Sequence, residues 1–204
     1  MQTKQSIDIV LLPTKNITDL SFEINKKIIA KWGEKIIFEK NKCIPHISIL
    51  MGAIENGNLK PLIEIVKKIA TETKQLNLKI KELLTTKIPS WENNYDFDIT
   101  KTKELKLLHK KIFEKALQHF SFDATIETLY PDPTPEEITL TWINNHASKK
   151  DFDKFRPHIT LGVGGEANMS LEKEIVCNIE QIWIYQLWNY CTCRKEIAIL
   201  NLQK

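Results

Sequence analysis

The chain has 204 residues, a formal net charge of +3, 42% hydrophobic and 27% charged residues. This composition excludes disordered, collagen-like and coiled-coil classes. No apolar run reaches the roughly 18 residues that a membrane helix needs, and the charge is too small for a protein that coats nucleic acid non-specifically. Arginine occurs only at positions 156 and 194, so bidentate phosphate forks are scarce and lysine supplies nearly all the positive charge. Met1 to Gln5 leads into a strand-like segment with no signal-peptide hydrophobic region, which points to a cytoplasmic protein. The thiols of Cys43, Cys177, Cys191 and Cys193 are then expected to be reduced. Cys191-Thr192-Cys193 is half of a zinc pattern without a second pair at ligand spacing, so no metal or cofactor is expected. The two cysteines read instead as sharing one face of a strand.

The run Ser6 to Leu12 stops at Pro13, as a buried strand would. Asn16 can cap a helix carrying Ile17, Leu20, Ile24 and Ile28 at helical spacing up to Gly33. A short strand at Ile36-Ile37-Phe38 and a stronger one from His46 to Ile54 follow. Asn58 opens a second helix with Leu62, Val66 and Ile69 on its apolar face. Leu76, Leu78 and Ile80 alternate with polar residues, as do Tyr95, Phe97 and Ile99 with Asp96 and Asp98, which predicts two half-buried strands. Leu105, Leu108, Ile112, Ala116 and Phe120 mark a third helix. Tyr130 to Glu137 is a proline-rich loop, and Ile138 to Ile143 reads as a strand. A polar loop, Asn144 to Asp153, leads into the strand Pro157 to Val163. The end reads as a hairpin, Ile179 to Leu187 and Cys193 to Leu202. No linker divides the chain, so one domain, 1–204, is expected, of α+β class with mostly antiparallel sheet and outer helices.

One pattern occurs twice. Pro45-His46-Ile47-Ser48-Ile49-Leu50 and Pro157-His158-Ile159-Thr160-Leu161-Gly162 share the form Pro-His-Ile-hydroxyl-apolar, one copy in each half of the chain. In a strand, residues i and i+2 face the same way. His46 and Ser48 therefore share one face, and His158 and Thr160 another. If the strands lie side by side near a local two-fold axis, two imidazoles and two hydroxyls converge. That set suits a phosphodiester: one histidine acts as base, the other as acid, and the hydroxyls donate to the phosphoryl oxygens without a metal.

These residues, with Phe155-Arg156 before the second copy, resemble the 2H phosphoesterase superfamily in its 2′-5′ RNA ligase-like and cyclic phosphodiesterase branch. The resemblance implies a bilobal fold of two pseudo-symmetric lobes around a central cleft, and metal-free hydrolysis or reversible ligation of phosphodiesters. The implied substrates are 2′,3′-cyclic phosphates, 2′-5′ linkages and small cyclic nucleotides. It assigns His46 and His158 to catalysis and Ser48, Thr160 and Arg156 to the substrate phosphate. Some ligase-like members carry an arginine just after the second motif, where this chain has Gly162-Val163-Gly164-Gly165; Arg156 or nearby lysines are candidates to replace it. The 134–154 stretch is longer than a minimal member needs, as a lid or an inserted strand and loop.

The expected protein is a monomeric phosphodiesterase acting on RNA ends or small nucleotides, without a membrane partner. The alternatives are a 2′-5′ RNA ligase using the same site in reverse and a non-catalytic nucleotide-binding module. Which histidine is the base is left open. Of the other histidines, His109 is expected on a solvated helix face, His119 at a helix end, and His146 in the polar loop before the second motif, with the border of the cleft as the lesser alternative. Lys149, Lys150 and Lys154 read as part of a solvated loop, partly offset by Asp151 and Asp153. The glycines after the second motif fit strand termination or a close backbone approach. Trp91, Tyr95, Trp142, Trp183, Tyr185 and Trp188 are candidates to stack on a base, with Trp183 and Tyr185 sharing a face.

Overall fold

Strands and helices follow along the chain in the order β1 (Lys4–Leu11), α1 (Lys15–Trp32), β2 (Ile47–Glu55), α2 (Asn56–Thr71), β3 (Leu76–Lys87), β4 (Asn93–Ile99), α3 (Lys103–Ala116), α4 (Glu137–Asn144), β5 (His158–Gly164), β6 (Ile175–Ile179), β7 (Gln181–Leu187) and β8 (Cys193–Asn201). The computed structural model describes residues 3–33, 35–39, 43–88, 92–131, 135–165, 169–171 and 173–204. Trp91, and residues 132–134 of the proline-rich loop, lie outside them. Among the described residues, no helix is long and apolar enough to cross a membrane.

The strands form two antiparallel sheets, ordered β2-β1-β7-β8 and β5-β4-β3-β6. Helices α2 and α3 cover the first sheet and α1 lies against β5 of the second, so the fold is bilobal α+β with outer helices. Each motif strand is the edge of its sheet, and the two edges, β2 and β5, touch. One apolar cluster runs from Ile7, Ile9 and Leu11 of the first sheet to Phe97, Ile159 and Leu161 of the second. Full burial of each such side chain contributes ~1.5–3 kcal/mol, which fixes the strands that carry the motifs.

Both motif strands carry a bulge at the same place. Val10 pairs with Ser48 but Ile9 with Leu50, leaving Ile49 as the extra residue. Asp96 pairs with Thr160 but Tyr95 with Gly162, leaving Leu161 as the extra one. A bulge changes which residues face a sheet's surface. After Ser48, the next β2 residue on the cleft side is therefore Met51 rather than Leu50, which stays in the core.

The structure corrects several expectations. Residues 138–143 form helix α4, not a strand. Thr139 and Ile143, one turn apart, are its buried face, and that spacing outweighed the β-branched composition. Strand β6 was missed and ends at Ile179, where the hairpin was expected to begin; β7 starts at Gln181 in the other sheet. Residues 36–38 are not a strand, although Ile36 and Phe38 are buried. Helix α1 begins at Lys15 after Thr14, α2 begins at Asn56, and α3 begins at Lys103, capped by the Thr102 side chain. The polar loop contains a 3-10 turn over His146–Lys150. Cys191 sits in a 3-10 turn and only Cys193 in β8, so the two do not share a strand face. All four cysteines are free and buried.

Candidate active site

Proline precedes both histidines, and both rings are held the same way. His46 Nδ1 lies 2.8 Å from the Ile44 carbonyl oxygen, and His158 Nδ1 lies 2.8 Å from that of Arg156. A carbonyl can only accept, so each Nδ1 carries the hydrogen, and Nε2 of a neutral ring is left as the basic nitrogen. Both rings line one cavity of about 280 Å³, together with Ser48, Thr160, Arg156 and Lys149. The five residues singled out in the two motifs are thus brought together between the edge strands.

The bulges that shape this surface are braced from behind. The Leu161 carbonyl accepts from Asn25 Nδ2 at 2.7 Å, and the Ile49 carbonyl from His146 Nε2 at 3.2 Å. Asn25, buried on α1, also donates to the Ile36 carbonyl and accepts from the Phe38 amide, so one side chain fixes both a bulge and a cavity wall. Cutting such a buried bond leaves an unsatisfied group at ~1–3 kcal/mol. His146 is buried rather than bordering the cleft, and burial drives its imidazole down to about 3, so it serves as a neutral brace. Gly162 has φ of 155°, and its missing side chain admits Ile28; Gly164 and Gly165 let Trp32 pack directly on the backbone. These glycines thus mark a close approach of α1.

Around the second motif the key residue is Asp96, which is fully buried. It accepts from Arg156 Nη2 at 2.6 Å, from Asn94 Nδ2 at 2.6 Å and from the Thr160 hydroxyl at 3.0 Å. His158 Nε2 lies 4.0 Å from the same carboxylate. Burial lowers the His158 imidazole from its ordinary value, Asp96 opposes that fall, and Arg156 and Lys149 add to it. Reading Tyr95, Phe97 and Ile99 as the core face left Asp96 on the face expected to be polar; that face is the cleft.

Around the first motif the corresponding carboxyl is Asp8, also fully buried. Neither of its oxygens has a hydrogen-bond partner among the described residues. Burial pushes this carboxyl up to about 7, with the neighbouring Ser48 hydroxyl and Lys149 charge pulling the other way. His46 has no carboxylate like Asp96 beside it; burial lowers its imidazole to about 4, and the nearby His158 charge adds to the fall. An aspartate inside the apolar run Ser6 to Leu12 was the visible signal of this position.

The outer walls are apolar and aromatic: Ile36, Phe38, Ile88, Trp142 and Tyr190. Tyr190 and Cys191 have φ of 55° and 54°, two consecutive left-handed residues without glycine. Such residues cost on the order of 1–3 kcal/mol each and persist where their surroundings over-determine them. Here Asn189 Oδ1 accepts from the Glu136 amide and the Thr139 hydroxyl, and Thr139 accepts from the Tyr190 amide. Helix α4 is thereby tied to the turn, and Trp142, Lys149 and Lys154 of this stretch form cavity wall.

Of the aromatic candidates, Trp142 lines the cavity. Trp183 and Tyr185 stack on one another at 5.7 Å in a separate cluster with Val10 and Cys193. Trp188 packs on Arg194 and Tyr95 on Trp32. His109 is buried among Phe113, Phe152 and Phe155, not solvated, and burial lowers it to about 4. Lys149 is half-buried and lines the cavity; Lys150 and Lys154 are exposed as expected, although Lys154 lines the cavity too.

No family model matches the sequence, and no curated protein is significantly similar to it. Solved structures share its fold. TT0787 of Thermus thermophilus aligns with a TM-score of 0.56 at 12% identity, covering 97% of this chain and 98% of that one. E. coli LigT in complex with NADP+ aligns with a TM-score of 0.54 at 12% identity, and in complex with 3′-AMP with 0.52 at 14%, each covering 98% of this chain and 99% of LigT. The chain thus has the two-lobed LigT-like fold over nearly its whole length.

Proposed function

We propose that the protein is a metal-independent phosphodiesterase of the 2H type, hydrolysing 2′,3′-cyclic phosphates or 2′-5′ phosphodiester bonds in RNA ends or small nucleotides. The observation that carries this reading is the matched pair of imidazoles, each pinned through Nδ1 and lining one cavity. Both proton transfers then have an agent, and no metal is needed. The cavity is near the small end of ligand sites, which suits a nucleotide or a chain end rather than a long RNA. LigT was solved with 3′-AMP, and a nucleotide with a 3′-phosphate has the chemistry of one product of opening a 2′,3′-cyclic phosphate. Both motifs come from one chain and share one core, so the reading is of a single domain, 1–204, that works as a monomer.

The surroundings of the rings divide the roles. His46, without a carboxylate like Asp96, stays neutral and takes a proton from water through Nε2. The hydroxide formed attacks phosphorus. His158, whose charged form Asp96 favours, protonates the leaving ribose oxygen. Ser48 donates to a non-bridging oxygen, as does Thr160 when its hydroxyl turns from Asp96 to the phosphate, and Arg156 holds Asp96 between them. The test is an assay in the presence of a chelator on 2′,3′-cyclic mononucleotides, cyclic-phosphate-ended RNA, 2′-5′ dinucleotides and cyclic dinucleotides. Turnover of the first three classes is expected. Activity that vanishes with the chelator and returns with zinc or manganese would overturn the mechanism.

A further inference from the structure

Three cations line the cavity, Arg156, Lys149 and Lys154; Lys154 is exposed, and the other two differ in one respect. The Arg156 guanidinium is paired with Asp96 through Nη2 at 2.6 Å, although its buried Nη1 has no hydrogen-bond partner among the described residues. The ammonium of Lys149, half-buried on the 3-10 turn after α4, makes no hydrogen bond and no ion pair with any described residue. Asp8 from β1 and Asp96 from β4 lie near enough to favour its charge, yet neither pairs with it. A half-buried ammonium without a partner loses part of its hydration with nothing in return, which is unfavourable. An anion in the cavity would relieve that cost, and Lys149 lines the same cavity as His46, Ser48, His158 and Thr160.

We propose that Lys149 receives the phosphoryl oxygens of the substrate, as a half-buried cation that the site leaves without a protein counter-ion. The inference rests on the phosphodiesterase reading for its substrate, but an anion site here can be measured without turnover. A lysine suits the role as a point charge that follows the phosphorus as its oxygens rearrange. The neighbouring thiol of Cys191 does not compete for it, because burial keeps that group protonated. Nothing in the basic run of the sequence set Lys149 apart from Lys150 and Lys154; α4 and the turn after it make the selection.

The test uses calorimetric titration of inorganic phosphate into the full chain, beside steady-state kinetics on a 2′,3′-cyclic mononucleotide. Lys149→Met keeps the apolar stem and removes the charge; Lys149→Arg keeps the charge. Phosphate affinity should fall ~10–100-fold in Lys149→Met, the range for a hydrogen bond to a charged group. It should stay within about threefold of wild type in Lys149→Arg, since the charge remains. In the kinetics the Met variant should raise KM more than it lowers kcat, and thermal unfolding should show it folded. Undiminished phosphate binding in Lys149→Met, or no phosphate binding by wild type at millimolar concentration, would overturn the proposal. Should phosphate binding depend on Lys149 while no diester in the panel is turned over, the anion site stands and the phosphodiesterase reading fails. If Lys149→Met is unfolded, Lys149→Gln is titrated in its place under the same criteria.

Discussion

The two motif strands present the same side chains on unlike foundations. In the second lobe, Asp96 is buried and receives Arg156, Asn94 and Thr160. In the first, Asp8 is equally buried and receives nothing in hydrogen-bond geometry among the described residues. The pattern Pro-His-Ile-hydroxyl-apolar, the Nδ1 contact and the bulge are shared; the electrostatics are not. The asymmetry lies one strand behind the motif, and it is what the proposed directional proton transfer requires.

Breaking either histidine should have the largest effect. His46→Ala and His158→Ala should each lower kcat/KM by ~10²–10⁴, the usual general acid–base contribution. Wild type should show a bell-shaped pH dependence, its acidic limb set by protonation of His46, whose imidazole burial lowers to about 4. Full activity in either variant ends the two-histidine reading.

Asp96→Asn sharpens the comparison by removing the charge from the second foundation. The rate should fall ~10–100-fold, less than loss of the acid itself. The carboxylate favours the His158 imidazolium, so without it the proton leaves at lower pH and the alkaline limb moves to the acid side. An alkaline limb that stays in place would show that Asp96 only braces Arg156 and Thr160.

Asp8→Asn tests the first foundation through stability. A carboxyl raised from 3.8 to about 7 is protonated in the folded state and ionised in the unfolded one between those values. This contribution therefore lowers stability progressively as pH rises from about 4 to 7 and is constant above. Asp8→Asn should gain ~1–3 kcal/mol over wild type at neutral pH, part of the roughly 4 kcal/mol of linkage being offset by burying an amide. Urea denaturation at a series of pH values reads it, and a gap between the two proteins that does not widen from pH 4 to 7 contradicts the assignment.

The smallest effect is expected at the hydroxyls. Thr160→Val should cost ~10-fold in rate, below the range for a dedicated oxyanion donor, because the hydroxyl also serves Asp96. Ser48→Ala should cost more, since its hydroxyl neighbours Asp8 but is not held by it in hydrogen-bond geometry as Thr160 is by Asp96. Kinetics of the pair decide, and equal losses would mean that the hydroxyls act alike.

Most of the framework was legible in the sequence because strand and helix periodicities are local. The two motifs were legible because a strand places i and i+2 on one face. Asp96 was visible as a residue but not as a participant, since its role depends on pairing with a strand some 60 positions on, Asp96 opposite Thr160. Lys149 and His146 sit in a polar stretch whose composition is that of a surface loop, and only their packing against β2 distinguishes them. Residues 138–143 misled because β-branched composition and a helical burial period coincide over two short turns. Asn25 offered a usable signal, a polar residue on the apolar stripe of Ile17, Ile24 and Ile28.

The sheet order also governs how the chain is made. β1 pairs with β2 on one side and β7 on the other, so Asp8 faces Tyr185 across the ladder. Synthesis of the intervening chain takes roughly ten to thirty-five seconds at ordinary translation rates. Through that interval the nascent strand Ile7 to Leu11 has an open edge, the feature that draws unfinished chains into aggregates. Asp8 is then in water, where its carboxyl titrates near the usual 3.8 and is ionised at neutral pH. A negative charge in the middle of an apolar strand discourages pairing with other chains. The carboxyl that weakens the finished fold thus protects the unfinished one, until β7 arrives and closes the sheet.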